Sequence, residues 1–163
     1  MNARSAGVSL AIVQLLLVTG IGLKYAADRA RLPAGWARTV PFDPSLPIRG
    51  RYVRLRLQVP LSAAGPTAGA VARVRLAAAA GRVYAVVDSA AGLEAALDTA
   101  NGAPVARLSD PIAFFIPEHV PDPSVRARDE ELWAEITLPT SGPPRPIRLG
   151  VRRGGALQPL DLR

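Results

Sequence analysis

The chain has 163 residues, enough for one domain of ordinary size beside a membrane segment. It has no cysteine and one histidine, which excludes cysteine-based catalysis and Cys/His zinc sites within the chain. Twenty Lys and Arg residues against 13 Asp and Glu residues give a net charge of +7. Eleven of the basic residues lie between Lys24 and Arg82, so the front half of the chain is strongly basic.

The first predicted element is a membrane-spanning helix, because the nineteen residues 5–23 carry no charge. In α-helical form such a run reaches about 28 Å, close to the roughly 30 Å hydrocarbon core of a bilayer. The run is apolar on every face, whereas the helix of a soluble core has one polar face. We predict an uncleaved anchor at residues 1–27. A cleaved signal peptide is disfavoured because Tyr25 would occupy a position that needs a small residue.

Two rules disagree about the orientation of this anchor. Lys24, Arg29 and Arg31 lie after the span, and the positive-inside rule places such residues in the cytoplasm. A very short flank with one positive charge, here Arg4, is typical of a signal-anchor that exports the domain on its C-terminal side. We favour export. This predicts a single-pass membrane protein whose soluble domain lies on the outer, periplasmic or extracellular side.

Residues 28–47 are predicted to form a juxtamembrane linker. A short helix over residues 25–38, broken by Pro33 and Gly35, would continue from the anchor into this linker, and an extended approach would follow over residues 40–47. A β-rich domain is predicted to fill residues 48–163, where prolines, glycines and short apolar runs alternate.

The strands of this domain are predicted from alternating apolar and polar residues. The clearest strand covers residues 51–59, and its inward face holds Val53, Leu55, Leu57 and Val59. Its outward face holds Arg54, Arg56 and Gln58. Residues 91–99 are expected to form a helical turn or two. Further strands are predicted at 71–76, 82–87, 105–108, 112–116, 132–138, 147–151 and 157–162. Seven or eight short strands predict a mainly β fold, a small antiparallel sandwich or barrel.

Two expectations about side chains come from the alternation. Leu55, Leu57, Leu132 and Ile136 should be buried, while Arg54, Arg56 and Glu135 should not. Only one of Phe114 and Phe115 should face the core, and the other should be covered by the loop at 117–123 or by a partner.

The stretch DPSLPIRGRYVRLRL at residues 43–57 resembles the family of membrane-associated proteins named for its GDYXXLXY motif. The matching positions are Asp43, Pro44, Arg49, Gly50, Tyr52 and Leu55. The segment 114–118 is similar to an aromatic-Phe-x-Pro-Glu segment of that family. Arg51 and Leu57 depart from the motif, which has an acidic and an aromatic residue there. The resemblance implies an N-terminal membrane segment and, for some members, a multi-span membrane-protein partner, but no established activity.

The motif positions Arg49, Gly50, Tyr52 and Glu118 are the candidate binding residues. We expect Glu118 to form a structural ion pair with an arginine of the bend that precedes Tyr52. An alternative function, as a small-ligand or enzymatic domain, requires Arg49, Tyr52, Glu118 and His119 to converge in one pocket. No metal or cofactor is predicted, because the prolines around His119 hold Glu118, His119 and Asp122 apart.

The last candidate binding surface is formed by arginines. Arg54 and Arg56 share one strand face, and Arg73 and Arg75 share another. If the two strands are neighbours, the four form a basic patch that attracts anionic lipid. We favour the other interpretation, a solvated face neutralised within the fold by Asp129, Glu130, Glu131 and Glu135. Nucleic acid is not predicted as a partner, because aromatic platforms are not interleaved with these arginines.

The predicted function is therefore that of a membrane-anchored, non-enzymatic β domain that binds or stabilises a partner in the cell envelope. The predicted partners are membrane lipid and a membrane protein.

Overall fold

The computed structural model describes residues 3–42, 52–62 and 68–162, and it divides into two units, Met1–Leu32 and Pro33–Arg163. The first unit contains helix α1, Ala3–Arg31. Its stretch Gly7–Arg31 is long and apolar enough to cross a membrane, and none of its most apolar window is buried. A signal sequence near the N-terminus can have the same length and apolarity.

Helix α1 continues past Lys24, where the sequence predicted that the span would end. The segment 24–31 is rich in alanine and arginine, which favour helix. Leu32 still donates a backbone hydrogen bond of 2.9 Å to the carbonyl of Asp28. Pro33 then ends the helix because proline disfavours helical backbone at the preceding residue and cannot donate a hydrogen bond itself.

The second unit is a β domain whose described residues form ten strands. In chain order they are β1 (Ala34–Pro41), β2 (Tyr52–Pro60), β3 (Val71–Ala79), β4 (Arg82–Val87), β5 (Leu93–Ala100), β6 (Ala103–Leu108), β7 (Ile112–Phe115), β8 (Glu130–Thr137), β9 (Arg145–Arg153) and β10 (Ala156–Pro159). The order β1-β4-β3-β5-β6-β2 closes on itself because β1 also pairs with β2. This is a six-stranded barrel, and it confirms the predicted mainly β fold.

Two extensions leave the barrel. Strands β8, β9 and β10 continue the sheet from β1, and β7 continues it from β2. The named strands all pair antiparallel except β1 and β4, which meet in parallel at Trp36 and Arg82.

Strand β1 lies inside the range 28–47 that the sequence assigned to a linker. It pairs with β2, β4 and β8, so distant segments of the chain supply the hydrogen bonds that hold it extended. Gly35, which suggested a break, is instead a packing position. A Cβ atom there would lie 3.0 Å from the backbone carbon of Arg82, so glycine lets β4 approach β1 closely.

Strand β5 corrects the expectation of helical turns at residues 91–99. Ala95 and Leu97 are buried while Glu94 is exposed, which is the alternation of a strand. Pairing with β3 on one side and β6 on the other outweighs the helix propensity of the alanines.

The core of the β domain confirms the predicted inward residues: Leu55, Leu57, Leu132 and Ile136 are all buried. Arg54 is exposed, and Arg56 and Glu135 are half-buried, so none of the three belongs to the core. Gln58, which was predicted to face outward, is only 6% exposed. It lies directly opposite Arg38 of β1 and Arg107 of β6, and arginine stems at such neighbouring positions shield a side chain from water.

Strand β7 places its two phenylalanines on opposite faces, as the alternation predicted. Phe114 is partly buried and packs against the core, whereas Phe115 is 59% exposed. The 117–123 loop does not cover the exposed ring of Phe115, which meets Tyr52 edge-to-face with ring centroids 5.4 Å apart. Coverage by a partner, the other expected alternative, stays a prediction.

Gly150 of β9 provides a test of the packing of the extension. A Cβ atom at this position would lie 2.8 Å from the indole of Trp36 and 3.0 Å from the carbonyl oxygen of Gln158. We expect Gly150→Ala to displace the Trp36 ring and to lower the free energy of unfolding by about 1–3 kcal/mol. Gly92→Ala is the matched control because a Cβ there meets nothing within 4 Å. A thermal melt in which the two variants have the same Tm would contradict this packing.

Candidate functional site

The described site residues, Tyr52, Glu118 and His119, lie at one end of the β2–β7 pair. Arg49 and Gly50 fall outside the described residues, so the ion pair between Glu118 and the bend before Tyr52 stays a prediction. Tyr52 is the first residue of β2 and is 51% exposed. Glu118 and His119 are exposed residues of the turn after β7, in which Val120 donates a backbone hydrogen bond of 3.2 Å to Pro117.

The alternative function requires Tyr52, Glu118 and His119 to meet Arg49 in one pocket, and Arg49 lies outside the described residues, so this convergence stays a prediction. Tyr52, Glu118 and His119 are all exposed, and water therefore screens each of them. Across the described ranges no group of three His, Cys, Asp or Glu residues is arranged to hold a metal ion.

The four arginines of the predicted basic patch lie apart. Strand β2 pairs with β1, β6 and β7, whereas β3 pairs with β4 and β5, so the two arginine pairs lie on different parts of the barrel. Arg75 pairs with Asp88, with its Nε atom 3.4 Å from the carboxylate. Arg73 donates to the backbone carbonyl of Ala91 at 3.5 Å.

The glutamates expected to neutralise these four arginines pair with other arginines. Glu130 pairs with Arg126 and Arg153, Glu131 with Arg38 and Arg152, and Glu135 with Arg148. These contacts are made within β1, β8 and β9 and the loop before β8. The outward charge of β2 is therefore not neutralised by these three glutamates.

A cluster of aromatic and arginine side chains covers the outer side of β2, and we call it the Tyr52 face. The guanidinium carbons of Arg54 and Arg56 lie 5.3 and 4.6 Å from the ring centroid of Phe42. Cross-strand pairing puts Tyr52 opposite Phe115. The Tyr52 face consists of Phe42, Tyr52, Arg54, Arg56 and Phe115.

Only part of this face was predictable from the sequence. The alternation of inward and outward residues along β2 correctly placed Tyr52, Arg54 and Arg56 on one side. Phe42 and Phe115 join them only because β1 and β7 flank β2. No local pattern in the sequence specifies that strand order.

A separate cavity of about 600 Å³ opens between the β4–β5 and β8–β9 loops. Its wall includes the Arg75–Asp88 ion pair, Asp110 and the apolar side chains of Leu76, Leu93 and Leu138. Of the described site residues, Tyr52 and Glu118 do not line it.

Comparison of the chain with protein-family models, with characterised proteins and with solved structures found no match. The resemblance to the GDYXXLXY family therefore stays a prediction that rests on the motif residues. Any function has to be inferred from the geometry of the chain itself.

Proposed function

We propose that this chain is a single-pass membrane protein whose β-barrel domain is non-enzymatic and binds a protein partner in the cell envelope through the Tyr52 face. Helix α1 is the anchor and contacts membrane lipid. The domain lies on the outer side of the membrane, as expected of a signal-anchor with a short positive N-terminal flank. The observation that supports partner binding most directly is the exposed ring pair of Tyr52 and Phe115.

Exposed rings in mutual contact are typical of an interface. Tyr52 and Phe115 remain 51% and 59% exposed even though each packs against the other. Aromatic residues and arginine are enriched in protein interfaces, where they supply most of the binding energy. On the Tyr52 face the two rings lie beside two arginines that share a third ring, Phe42.

The strand beneath the rings adds a second attachment point. Within the described residues, β7 pairs only with β2, so it is an edge strand. An edge strand can accept an extended segment of another chain by backbone hydrogen bonding. Arg54 and Arg56 then favour acidic side chains in the partner segment.

Site-specific photo-crosslinking tests this proposal. A photoreactive amino acid at position 115 of the full-length chain in native membranes should yield one discrete crosslinked protein species. The same group at position 71 should not, because Val71 is a similarly exposed apolar residue of β3 but is outside the Tyr52 face.

Substitutions then separate binding from folding. Tyr52→Ala should reduce the crosslink from position 115 by at least tenfold, as expected for loss of a hot-spot residue worth about 1.4 kcal/mol or more. The variant should lose no more than about 1.5 kcal/mol of stability, the value of an aromatic pair. Equal crosslinking from positions 115 and 71, or a crosslink that Tyr52→Ala leaves unchanged, would rule out the Tyr52 face as the interface.

A further inference from the structure

Both tryptophans of the chain line a single cleft on the outer surface of the β domain. The cleft has a volume of about 260 Å³. It is lined by residues of β1, β4, β8, β9 and β10 and of the hairpin turns at Gly81 and Gly155. Its main lining residues are Trp36, Arg82, Trp133, Arg152 and Leu157.

Two guanidinium groups flank one indole in this cleft. The guanidinium carbons of Arg82 and Arg152 lie 6.0 and 5.5 Å from the ring centroid of Trp133. The indole nitrogen of Trp133 donates a hydrogen bond of 3.2 Å to the carboxylate of Glu131. The cleft therefore has two guanidinium groups beside one indole ring.

The charge of the cleft is not balanced. Glu131 lies 4.0 Å from Arg152 but 3.2 Å from Arg38, so its single negative charge is divided between two arginines. Arg82 has no carboxylate within salt-bridge distance among the described residues. The nearby Arg148 is paired with Glu135 and stacks on Trp36 from the side of β9. A net positive charge is left where Arg82 and Arg152 meet the cleft.

Trp36 forms the apolar floor. Its indole packs so closely on β9 that a Cβ at Gly150 would lie 2.8 Å from it. Leu157 of β10 adds a second apolar wall. The cleft thus combines a cationic side with an apolar side, which is suited to an anionic group attached to a few carbon atoms.

We propose that this cleft binds a phosphate ester. The phosphate oxygens accept hydrogen bonds from Arg82 and Arg152, and the ester carbons pack against Trp36 and Leu157. Guanidinium groups match phosphate geometry with paired N–H donors, and such charge-assisted bonds are about twice as strong as neutral ones. A whole drug-sized ligand needs roughly 300–1,000 Å³, so this cleft accepts a headgroup-sized ligand. A soluble phosphate monoester and a phospholipid headgroup share this chemistry.

Intrinsic fluorescence tests the proposal, because every tryptophan of the chain lies in the cleft. The full chain is held in maltoside detergent micelles, which contain no phosphate, and titrated with glycerol phosphate. A glycerol and sulfate mixture of equal ionic strength is the control titrant. We expect a saturable change in tryptophan emission with glycerol phosphate only, and the same binding curve by isothermal titration calorimetry.

A second arm identifies the source of the phosphate. Phosphatidylglycerol is added to the micelles in one sample and a neutral glycolipid in the other. A change in emission with phosphatidylglycerol alone supports the proposal with a lipid headgroup as ligand. A response to glycerol phosphate alone supports it with a soluble ligand.

Three substitutions make the test specific. Arg82→Gln and Arg152→Gln should each weaken binding by at least about tenfold, because each removes a charged hydrogen-bond donor. Arg82→Lys, which keeps the charge but loses the paired donors, should weaken it less than Arg82→Gln. Arg75→Gln is the control, since that residue lies on β3 and is paired with Asp88.

Two results would overturn the proposal. The first is no saturable response, by fluorescence or by calorimetry, to either glycerol phosphate or phosphatidylglycerol. The second is a response that persists unchanged in Arg82→Gln, Arg82→Lys and Arg152→Gln, which would show a nonspecific ionic effect.

Discussion

Leu55→Ala is expected to lower the free energy of unfolding by about 2–5 kcal/mol, because it opens a cavity where the side chain is fully buried. Leu55 lies at the centre of β2, opposite Pro41 of β1 and Ile112 of β7, so the cavity would form where the barrel closes. For a domain of this size the Tm should fall by about 6–20 °C. A thermal melt of the full chain in mild detergent, monitored by circular dichroism, measures it.

The matched control is the neighbouring residue in the same strand. Arg54 is exposed, and its substitution by alanine should change stability by about 0.5 kcal/mol. Arg56→Ala should fall between the two, since that side chain is half-buried against Phe42. A melt in which either arginine variant is less stable than Leu55→Ala would show that the register of β2 is shifted by one residue.

Strand β2 was predictable because the pattern that specifies it lies within its own residues. Its residues alternate in polarity, and that period alone sets which side chains face the core. The same holds for β8, where Leu132 and Ile136 were placed inward from the sequence. For such strands the tertiary structure only adds partners on either side.

Strands β1 and β5 were missed for a different physical reason. Residues 34–41 contain glycine and come directly after a proline, and residues 93–100 are rich in alanine, so local propensity disfavours a strand in both. Both are held extended by ladders from distant segments, as in the pairing of β1 with β8 almost 100 residues later in the chain. Propensities of well under 1 kcal/mol per residue are outweighed by such pairing.

The tryptophan cleft and the Tyr52 face likewise depend on which strands pair with each other. Trp36 and Trp133 lie far apart in sequence, and they share a cleft only because β1 and β8 are neighbours. Phe42 meets Arg54 and Arg56 for the same reason, through the pairing of β1 with β2. Side chains on an outward face cannot be assigned to a common site until the strand order is known.

Removal of residues 1–32 is expected to release the β domain from the membrane in folded form. The two units of the structure divide between Leu32 and Pro33, and the candidate membrane span lies wholly in the first. A chain starting at Pro33 keeps all of β1, and it keeps the Pro33 carbonyl that accepts a 2.9 Å hydrogen bond from Leu138. After a carbonate wash, the full chain should stay in the membrane pellet and the truncated chain should be in the supernatant. A truncated chain that resists the wash as the full chain does would show that α1 is not the anchor.

A second truncation tests whether β1 belongs to the barrel or to a linker. A chain starting at Phe42 lacks only Pro33 and β1 in addition, yet it loses the strand that joins β2, β4 and β8. The barrel would open, and β8, β9 and β10 would lose the strand through which they attach to it. We expect this chain to show no cooperative thermal transition, whereas the chain starting at Pro33 melts cooperatively. If both chains melt cooperatively at the same temperature, β1 contributes nothing to closure, and residues 28–47 are the linker that the sequence predicted.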